Sequence, residues 1–526
     1  MSKNRHAIII LVLATLILFG SFMDKFLVAG DNVYEQIRRF MDVFTYVKKY
    51  YVEDIDTEEV VTGAIEGMLE SLDPHSVYIE AKQMEKINEQ FKGHYHGIGI
   101  EFIIKDKVLT VISPIAGSPS EALGIRPGDQ LIKIEGKSAY GITEQEVFKK
   151  LRGPKGTKVT VTIRRPGVED PFDITITRDV IPIYSVMTAF MYTDDIGYIY
   201  VGRFAKTTVD ELEEALLELE SKGMKKLLLD LRGNSGGYLD QAVMIADKFI
   251  EGNKKIVYTR GRRPETNDDF YSTDRNTHPR MPLIILIDKG SASASEIVAG
   301  AVQDWDRGLI VGETSFGKGL VQNQIGLKDG SALRLTTARY YTPSGRLIQR
   351  PYTNGLADYY AEGYDDVDPN AIEDSTRSKP VFYTNANRKV YGGGGITPDV
   401  KIKSERLNKS TTALMSNRVF FEYASQYVAE HPELKNRFEY FRDQFTITNR
   451  MMNRFKRLVD ERDIEIETQE IDEDIEYIKV LMKSEIARNL WDSKYYYQFI
   501  RRGDKQVQKA AALFPDAAEI AGIVNP

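Results

Sequence analysis

The order of apolar and polar positions divides this chain into stretches of different period. Ala7 to Met23 form an almost unbroken apolar run behind Lys3 and Arg5, the order of an export signal or a short signal anchor. Val28-Ala29-Gly30 offers only a weak cleavage site beyond it. Basic residues ahead of the run predict a cytoplasmic N-terminus. Everything from about residue 31 is then expected on the extracytoplasmic, periplasmic side of the cell membrane, anchored by or processed after residues 7–23. Ile37, Phe40, Phe44 and Val47 recur at spacings of three and four, which predicts helix. The helical pattern runs to about Lys92, broken at Ser71-Leu72-Asp73-Pro74-His75-Ser76.

Between about residues 93 and 180 the period shortens. Val108-Leu109-Thr110-Val111-Ile112 and Lys158 to Ile163 are β-rich runs between glycine and proline turns, the pattern of a compact, partly open barrel. From 181 to 402, strand-like Ile196–Val201, Leu227–Leu231 and Leu283–Ile287 alternate with helical Val209–Lys222, Gly237–Phe249 and Ala294–Asp304. A mixed α/β sheet follows, with its chemistry at the C-terminal ends of the strands. Lys401 to Arg502 contain no glycine and one proline, Pro432, so several long helices are expected. Ile471, Ile475, Ile478, Met482, Ile486 and Leu490 keep helical spacing there, as do Phe438, Phe441 and Phe445. That apolar face either packs within its own domain or serves as a homodimer or adaptor surface. The fold class is thus mixed α/β and multi-domain: a signal segment (1–30), a helical region (31–92), a β domain (93–180), an α/β core (181–402) and a helical domain (403–526).

Composition narrows the chemistry. At 526 residues the chain exceeds one hydrophobic core, and 42% hydrophobic with 28% charged residues is ordinary for globular domains. A net charge of −7 gives no electrostatic pull toward nucleic acid. Cysteine is absent, which excludes a thiol nucleophile, a disulfide framework and thiolate metal sites. The six histidines, His6, His75, His94, His96, His278 and His431, form no ligand spacing, so no metal and no cofactor are expected.

Gly97-Ile98-Gly99-Ile100-Glu101-Phe102 resembles the carboxylate-binding loop and following strand of PDZ domains. Ser118 to Gly136, SPSEALGIRPGDQLIKIEG, is a more specific match to the same family. The resemblance implies capture of an apolar C-terminal tail through backbone N–H groups and a strand edge. Glu144 to Leu151 is then the helix closing the groove, with Val147 and Leu151 on one face. Arg152 is either a solvated loop charge or a contact coupling peptide binding to the catalytic domain.

Three segments of the α/β region carry the candidate catalysis. Asp230-Leu231-Arg232-Gly233-Asn234-Ser235-Gly236-Gly237 follows a buried strand, and its glycines can leave backbone N–H groups facing an anion. Gly290-Ser291-Ala292-Ser293-Ala294-Ser295-Glu296 opens a helix after another. Ser293 with Glu296 alone reads as a capping box. Gly312 to Lys318 nearly spell a phosphate-binding loop, but Gly319 stands where Ser or Thr would hold Mg²⁺, and Ala332 to Thr337 look extended.

Together the three segments resemble the carboxyl-terminal processing, or tail-specific, proteases of the S41 peptidase family, over about residues 32–402 including Gly394-Gly395-Ile396-Thr397-Pro398-Asp399. The resemblance implies a serine endopeptidase with Ser293 as nucleophile, Lys318 as general base and Gln322 positioning the lysine. It implies an oxyanion hole from the N–H groups of Ala294 and one of the pair Gly236 and Gly237. Asp304 matches a recurring acidic position, read as a helix-end or salt-bridge residue. A free lysine is neutral in only about one molecule in 2,500 at pH 7. Lysine as base therefore requires burial worth about 4 to 5 kcal/mol. Lys318 Nζ is accordingly expected within hydrogen-bond reach of Ser293 Oγ, away from carboxylates. The rival reading is a catalytically inactive PDZ scaffold at the membrane.

Overall fold

The computed structural model describes residues 33–274, 278, 280–352, 359, 379–462 and 464–523. The apolar run 7–23 lies outside them. No helix among the described residues is long and apolar enough to cross a membrane. The chain up to Leu72 forms one compact unit and the chain from Asp73 another. The first contains helices Val33–Tyr50 and Thr57–Glu70, the second capped by the Asp56 carboxylate, which accepts from the N–H groups of Glu58 and Glu59.

In the second unit, strand Val77–Ile79 and helix Ala81–Lys92 precede the PDZ domain. Its sheet runs, in spatial order, through strands 100–105, 108–114, 130–134, 158–164 and 172–177, with 137–138 paired to 130–134. Among the described residues the 100–105 strand has one partner and one free edge. Helix Glu144–Leu151 starts on a Thr143/Glu146 capping box. It seats Val147 and Leu151 against Ile98, Ile100, Leu109 and Val159 in a single apolar cluster.

The α/β core is built on a six-stranded sheet in the order 186–191, 196–201, 226–230, 283–287, 309–312, 400–401. The first pair is antiparallel and the rest are parallel. Leu283–Ile287 is buried at all five positions, as expected for a parallel strand covered on both faces. One face carries helices 208–221, 239–247 and 294–304. The other is covered by the C-terminal segment through Val507, Ala510, Phe514 and Ala517. Every residue of Ala294–Asp304 is buried. Its small side chains permit this: a Cβ on Gly300 would stand 2.9 Å from Thr342 Cγ2. A second, antiparallel sheet pairs Leu320–Gly326 with Ala332–Tyr341, so the chain after Lys318 is strand where a nucleotide-binding loop needs helix. Asp304 lies buried and ion-paired with Arg346, and its Oδ2 accepts from Ser344 N–H at 3.0 Å.

The C-terminal region is helical, but its helices are shorter than the sequence pattern predicts. Val419–Glu430, Asn449–Asp460 and Ile475–Leu490 are the longest. Breaks fall at Arg418, which takes a left-handed φ of 57°, at His431-Pro432 and at Asp474. Ile471 and Ile475 therefore sit in different helices. Both apolar series nevertheless converge inside one cluster with Leu414, Phe420 and Phe455. The domain also touches the free-edged PDZ strand: Glu422 accepts from Lys105 and Arg462, and Ser493 Oγ donates to Glu101 Oε2 at 3.0 Å.

Candidate active site

Three strand ends bring the predicted segments together. The turn after 226–230 carries Gly236 and Gly237, the turn after 283–287 carries Ser293, and the loop after 309–312 carries Lys318. Ser293 sits at φ 55°, ψ −111°, a backbone conformation that a non-glycine residue holds only when its surroundings fix it. They do so here. Its N–H donates to Glu296 Oε2 at 2.8 Å, and its carbonyl accepts from the Tyr340 hydroxyl at 3.1 Å.

Glu296 does more than cap a helix. Fully buried, it accepts from Ser293 N–H, Ser315 Oγ (2.6 Å), Gly317 N–H (2.7 Å) and Lys318 N–H (2.9 Å). One carboxylate thus joins the serine turn to the lysine loop. Burial pushes its pKa up to about 7, against the pull of these four donors. Glu296→Gln places an N–H₂ where an acceptor met two donors. We expect a loss of about 3 kcal/mol, measured as a lower thermal unfolding midpoint of the purified protein, with a parallel fall in activity.

Lys318 Nζ donates to Gln322 Oε1 at 2.8 Å. Gln322 Nε2 in turn donates to the His75 carbonyl, which fixes the amide's orientation. Burial, followed by the Arg334 charge, lowers the Lys318 pKa to about 8, opposed by Glu296 and Asp73. Among the described residues Lys318 makes no ion pair, although the Glu296 and Asp73 carboxylates are close enough to act on its amine. The expected bond to Ser293 Oγ is not formed there: the amine is turned to Gln322, the acceptor four residues on, which the adjoining strand brings within reach.

The turn that holds Gln322 is one the sequence marked only as a helix break. Asp73 accepts from the N–H groups of His75 (2.8 Å) and Ser76 (2.9 Å) and from Thr336 Oγ1 (3.1 Å). This presents the His75 carbonyl to Gln322. The His75 ring is half-buried near Lys318 and hydrogen-bonded to the Tyr359 hydroxyl at 2.8 Å. Burial and the Lys318 charge lower its pKa to about 4, so it is neutral at pH 7. Tyr340, whose hydroxyl also reaches the Lys318 carbonyl, was equally unmarked.

Hydrogen bonding distinguishes the two glycines. Gly236 N–H donates to Asn234 Oδ1 at 2.9 Å. Among the described residues no hydrogen bond occupies the N–H of Gly237 or of Ala294. Gly236 instead provides proximity: a Cβ there would stand 2.8 Å from Ser293 Cβ and 2.9 Å from Ala294 N.

In the PDZ domain, Ile98, Gly99, Ile100, Phe102, Val147, Phe148, Leu151 and Arg152 line one groove with Tyr95, leaving a cavity of about 20 Å³. That is room for about one water. Gly97 lies outside the lining, in a strand paired with 179–182. Gly99 (φ 81°) admits no side chain, since a Cβ would fall 2.2 Å from Ser118 Cβ. Arg152 is not a solvated charge. Its guanidinium lies over the rings of Tyr95 (4.5 Å) and Phe148 (4.6 Å) and pairs with Glu89, on the helix preceding the PDZ domain.

A serine turn at a left-handed φ, a half-buried lysine and backbone N–H groups without a partner among the described residues thus gather at the strand ends of an α/β sheet. Comparison with known proteins identifies the class of protein. Residues 195–356 match the model of peptidase family S41, 110–165 a PDZ domain, 23–83 the N-terminal domain of the activating protease CtpB, and 411–492 a family of unknown function. The carboxy-terminal-processing protease of Bartonella bacilliformis is 44% identical over 323 residues, covering 61% of this chain and 74% of that protein. The carboxy-terminal processing protease CtpA of Bacillus subtilis is 37% identical over 325 residues (61% and 68%). A probable CtpA-like serine protease of Staphylococcus saprophyticus is 36% identical over 355 residues (66% and 71%). The chain belongs to the carboxy-terminal processing proteases of peptidase family S41, which are serine peptidases.

Proposed function

We propose that the protein cuts polypeptides near their C-termini with a Ser293/Lys318 dyad, after the PDZ groove has captured an apolar substrate tail. The observation that carries the reading is a half-buried amine with no ion pair among the described residues, its pKa lowered to about 8, on a residue whose backbone N–H is held by the same carboxylate as the serine turn. Gln322 accepts one amine hydrogen, which leaves the lone pair of neutral Lys318 for the Ser293 hydroxyl once the side chain swings from its present position. The alkoxide attacks the scissile carbonyl, and the N–H groups of Gly237 and Ala294 receive the oxyanion. Protonated Lys318 then serves the leaving amine, and water releases the acyl group.

The substrate tail adds to the free edge of strand 100–105, its carboxylate toward the N–H groups of Ile98 and Gly99. Arg152, over the Tyr95 and Phe148 rings of the groove and paired with Glu89, links tail capture to the helix preceding the PDZ domain. Residues 3–23 support export and attachment to the outer face of the cell membrane.

The test incubates the purified full chain with a protein ending in an apolar tail and follows products by mass spectrometry. Cleavage is expected from the wild type and none from Ser293→Ala; equal processing by both favours the scaffold reading. Because the lysine is active when neutral, kcat/KM should rise with pH along a limb near 8, from the lowered Lys318 pKa. A flat profile from pH 6 to 9 would count against the lysine base.

A further inference from the structure

The turn that carries Gly236 and Gly237 is fastened from two sides. On the side of the serine turn, Asn234 O accepts from Ala292 N–H (3.0 Å) and Ser295 Oγ (2.8 Å), and Leu231 O accepts from Ser291 Oγ (2.8 Å). The other side is held by Arg232, whose guanidinium is 7% exposed. Its Nη2 donates to Asp230 Oδ2 at 2.6 Å. Its Nη1 leaves the protease core altogether, donating to Gln506 Oε1 at 2.6 Å and pairing with Asp504 Oδ2 at 2.8 Å.

These partners are rigid. Gln506 is 3% exposed, its Nε2 donates to the Ile402 carbonyl, and its N–H donates to Asp504 Oδ1. Arg501, 3.8 Å from Asp230 and 3.5 Å from Asp504, balances the charge of the cluster and lies over the Tyr200 ring. Two arginines and two aspartates thus form a charge-balanced group, buried at Asp230 and Arg232 and part-buried at Arg501 and Asp504, in which neither Arg232 nor Asp504 is left unpaired. Immediately beyond it, Val507 and Ala510 pack onto the core sheet, so the helices cannot withdraw without exposing apolar surface.

We propose that the C-terminal segment is part of the catalytic apparatus, with Asp504 and Gln506 as positioning residues that hold Arg232 and, through it, the turn presenting the Gly237 N–H to the substrate oxyanion. This rests on the reading of Gly237 and Ala294 as oxyanion donors. The effect of loosening the clasp falls on the transition state, where small displacements of a donor are costly, and not on tail capture, which occurs in a different domain.

The test compares full-length wild type, Gln506→Ala, and Gln506→Glu, which keeps the acceptor for Arg232. Three quantities are measured: kcat and KM on the tailed protein substrate, affinity for a peptide boronate that forms a tetrahedral adduct on Ser293, and affinity for the isolated tail peptide. Gln506→Ala should lower kcat about tenfold and boronate affinity by a similar factor, with KM and tail affinity unchanged, while Gln506→Glu, which keeps the acceptor for Arg232 but loses the donor to the Ile402 carbonyl, lowers the unfolding midpoint and holds boronate affinity per titrated active site closer to wild type than Gln506→Ala does. Unaltered kcat and boronate affinity in Gln506→Ala overturn the inference. So does a loss of kcat that merely tracks the fraction folded, with boronate affinity per titrated active site unchanged. If Gln506→Ala does not fold, Arg232→Lys, which keeps the charge but loses the forked contact, is read by the same criteria. A wild type that binds no boronate at Ser293 overturns the dyad reading itself, an outcome distinct from the others.

Discussion

Lys318→Met is expected to lower kcat/KM by about 10⁴-fold or more, the scale on which removal of a serine hydrolase's base acts. Methionine keeps an unbranched side chain one heavy atom shorter but has no lone pair basic enough to take the Ser293 proton. The fold should not suffer. The side chain's hydrogen bond is with Gln322, and burial already disfavours the charged amine, so the unfolding midpoint should hold or rise slightly at pH 7. The linkage has the same sign. A lysine whose pKa falls from 10.5 to about 8 on folding binds fewer protons in the folded state, so its contribution grows more favourable as pH climbs from 8 to 10.5. Activity of Lys318→Met within tenfold of wild type, measured by progress curves at pH 8, rules out the proposed base.

Gly236→Ala should be nearly as damaging, by about 10²-fold or more in kcat. The added methyl would meet the Ala292 carbonyl oxygen at 2.8 Å, Ser293 Cβ at 2.8 Å and Ala294 N at 2.9 Å, at a backbone φ of 97°. All three neighbours belong to the serine turn, so relief of the clash must move either the nucleophile or a proposed oxyanion donor. Gly233→Ala is the control. It has a similar left-handed φ, 68°, but its methyl would approach nothing closer than the Tyr200 hydroxyl at 4.0 Å. Its cost is therefore limited to backbone strain of about 1 kcal/mol, seen in the unfolding midpoint, with kcat within about threefold of wild type. Comparable kcat losses in the two variants would mean that general loosening of the turn, and not contact with Ser293, is being measured.

Much of this site could be located before any coordinates. Leu283–Ile287 reads as a buried strand because five consecutive apolar residues have no polar face to offer water. Gly236, Ser293 and Lys318 were singled out by the resemblance of their three short segments to the S41 proteases, residue type alone leaving Ser293 a helix cap. The rejection of a nucleotide loop at Gly312–Lys318 also rested on neighbours in sequence, Gly319 and the extended run beyond it. The errors have a common cause as well. Long helices were expected after residue 401 because glycine is missing, yet Arg418 takes a left-handed φ of 57° without one, since packing into the surrounding cluster outweighs local propensity. The capping box read at Ser293 and Glu296 is present; what a local reading missed is that Glu296 has further partners 19 to 22 residues along the chain.

The amino-acid order determined where strands and helices arise, which turns end at the sheet's catalytic edge, and which residue types gather there, because periodicity and turn chemistry act over a few neighbouring positions. Tertiary structure alone decided which donor meets which acceptor. It gave Gln322 the carbonyl of His75, 247 residues distant, and Arg232 the side chain of Gln506, 274 residues distant. It also left Gly237 free while closing the N–H of Gly236 onto Asn234. The physical reason is that buried polar groups must all be satisfied at once, and only the complete packing of the chain determines which partners are close enough to do so.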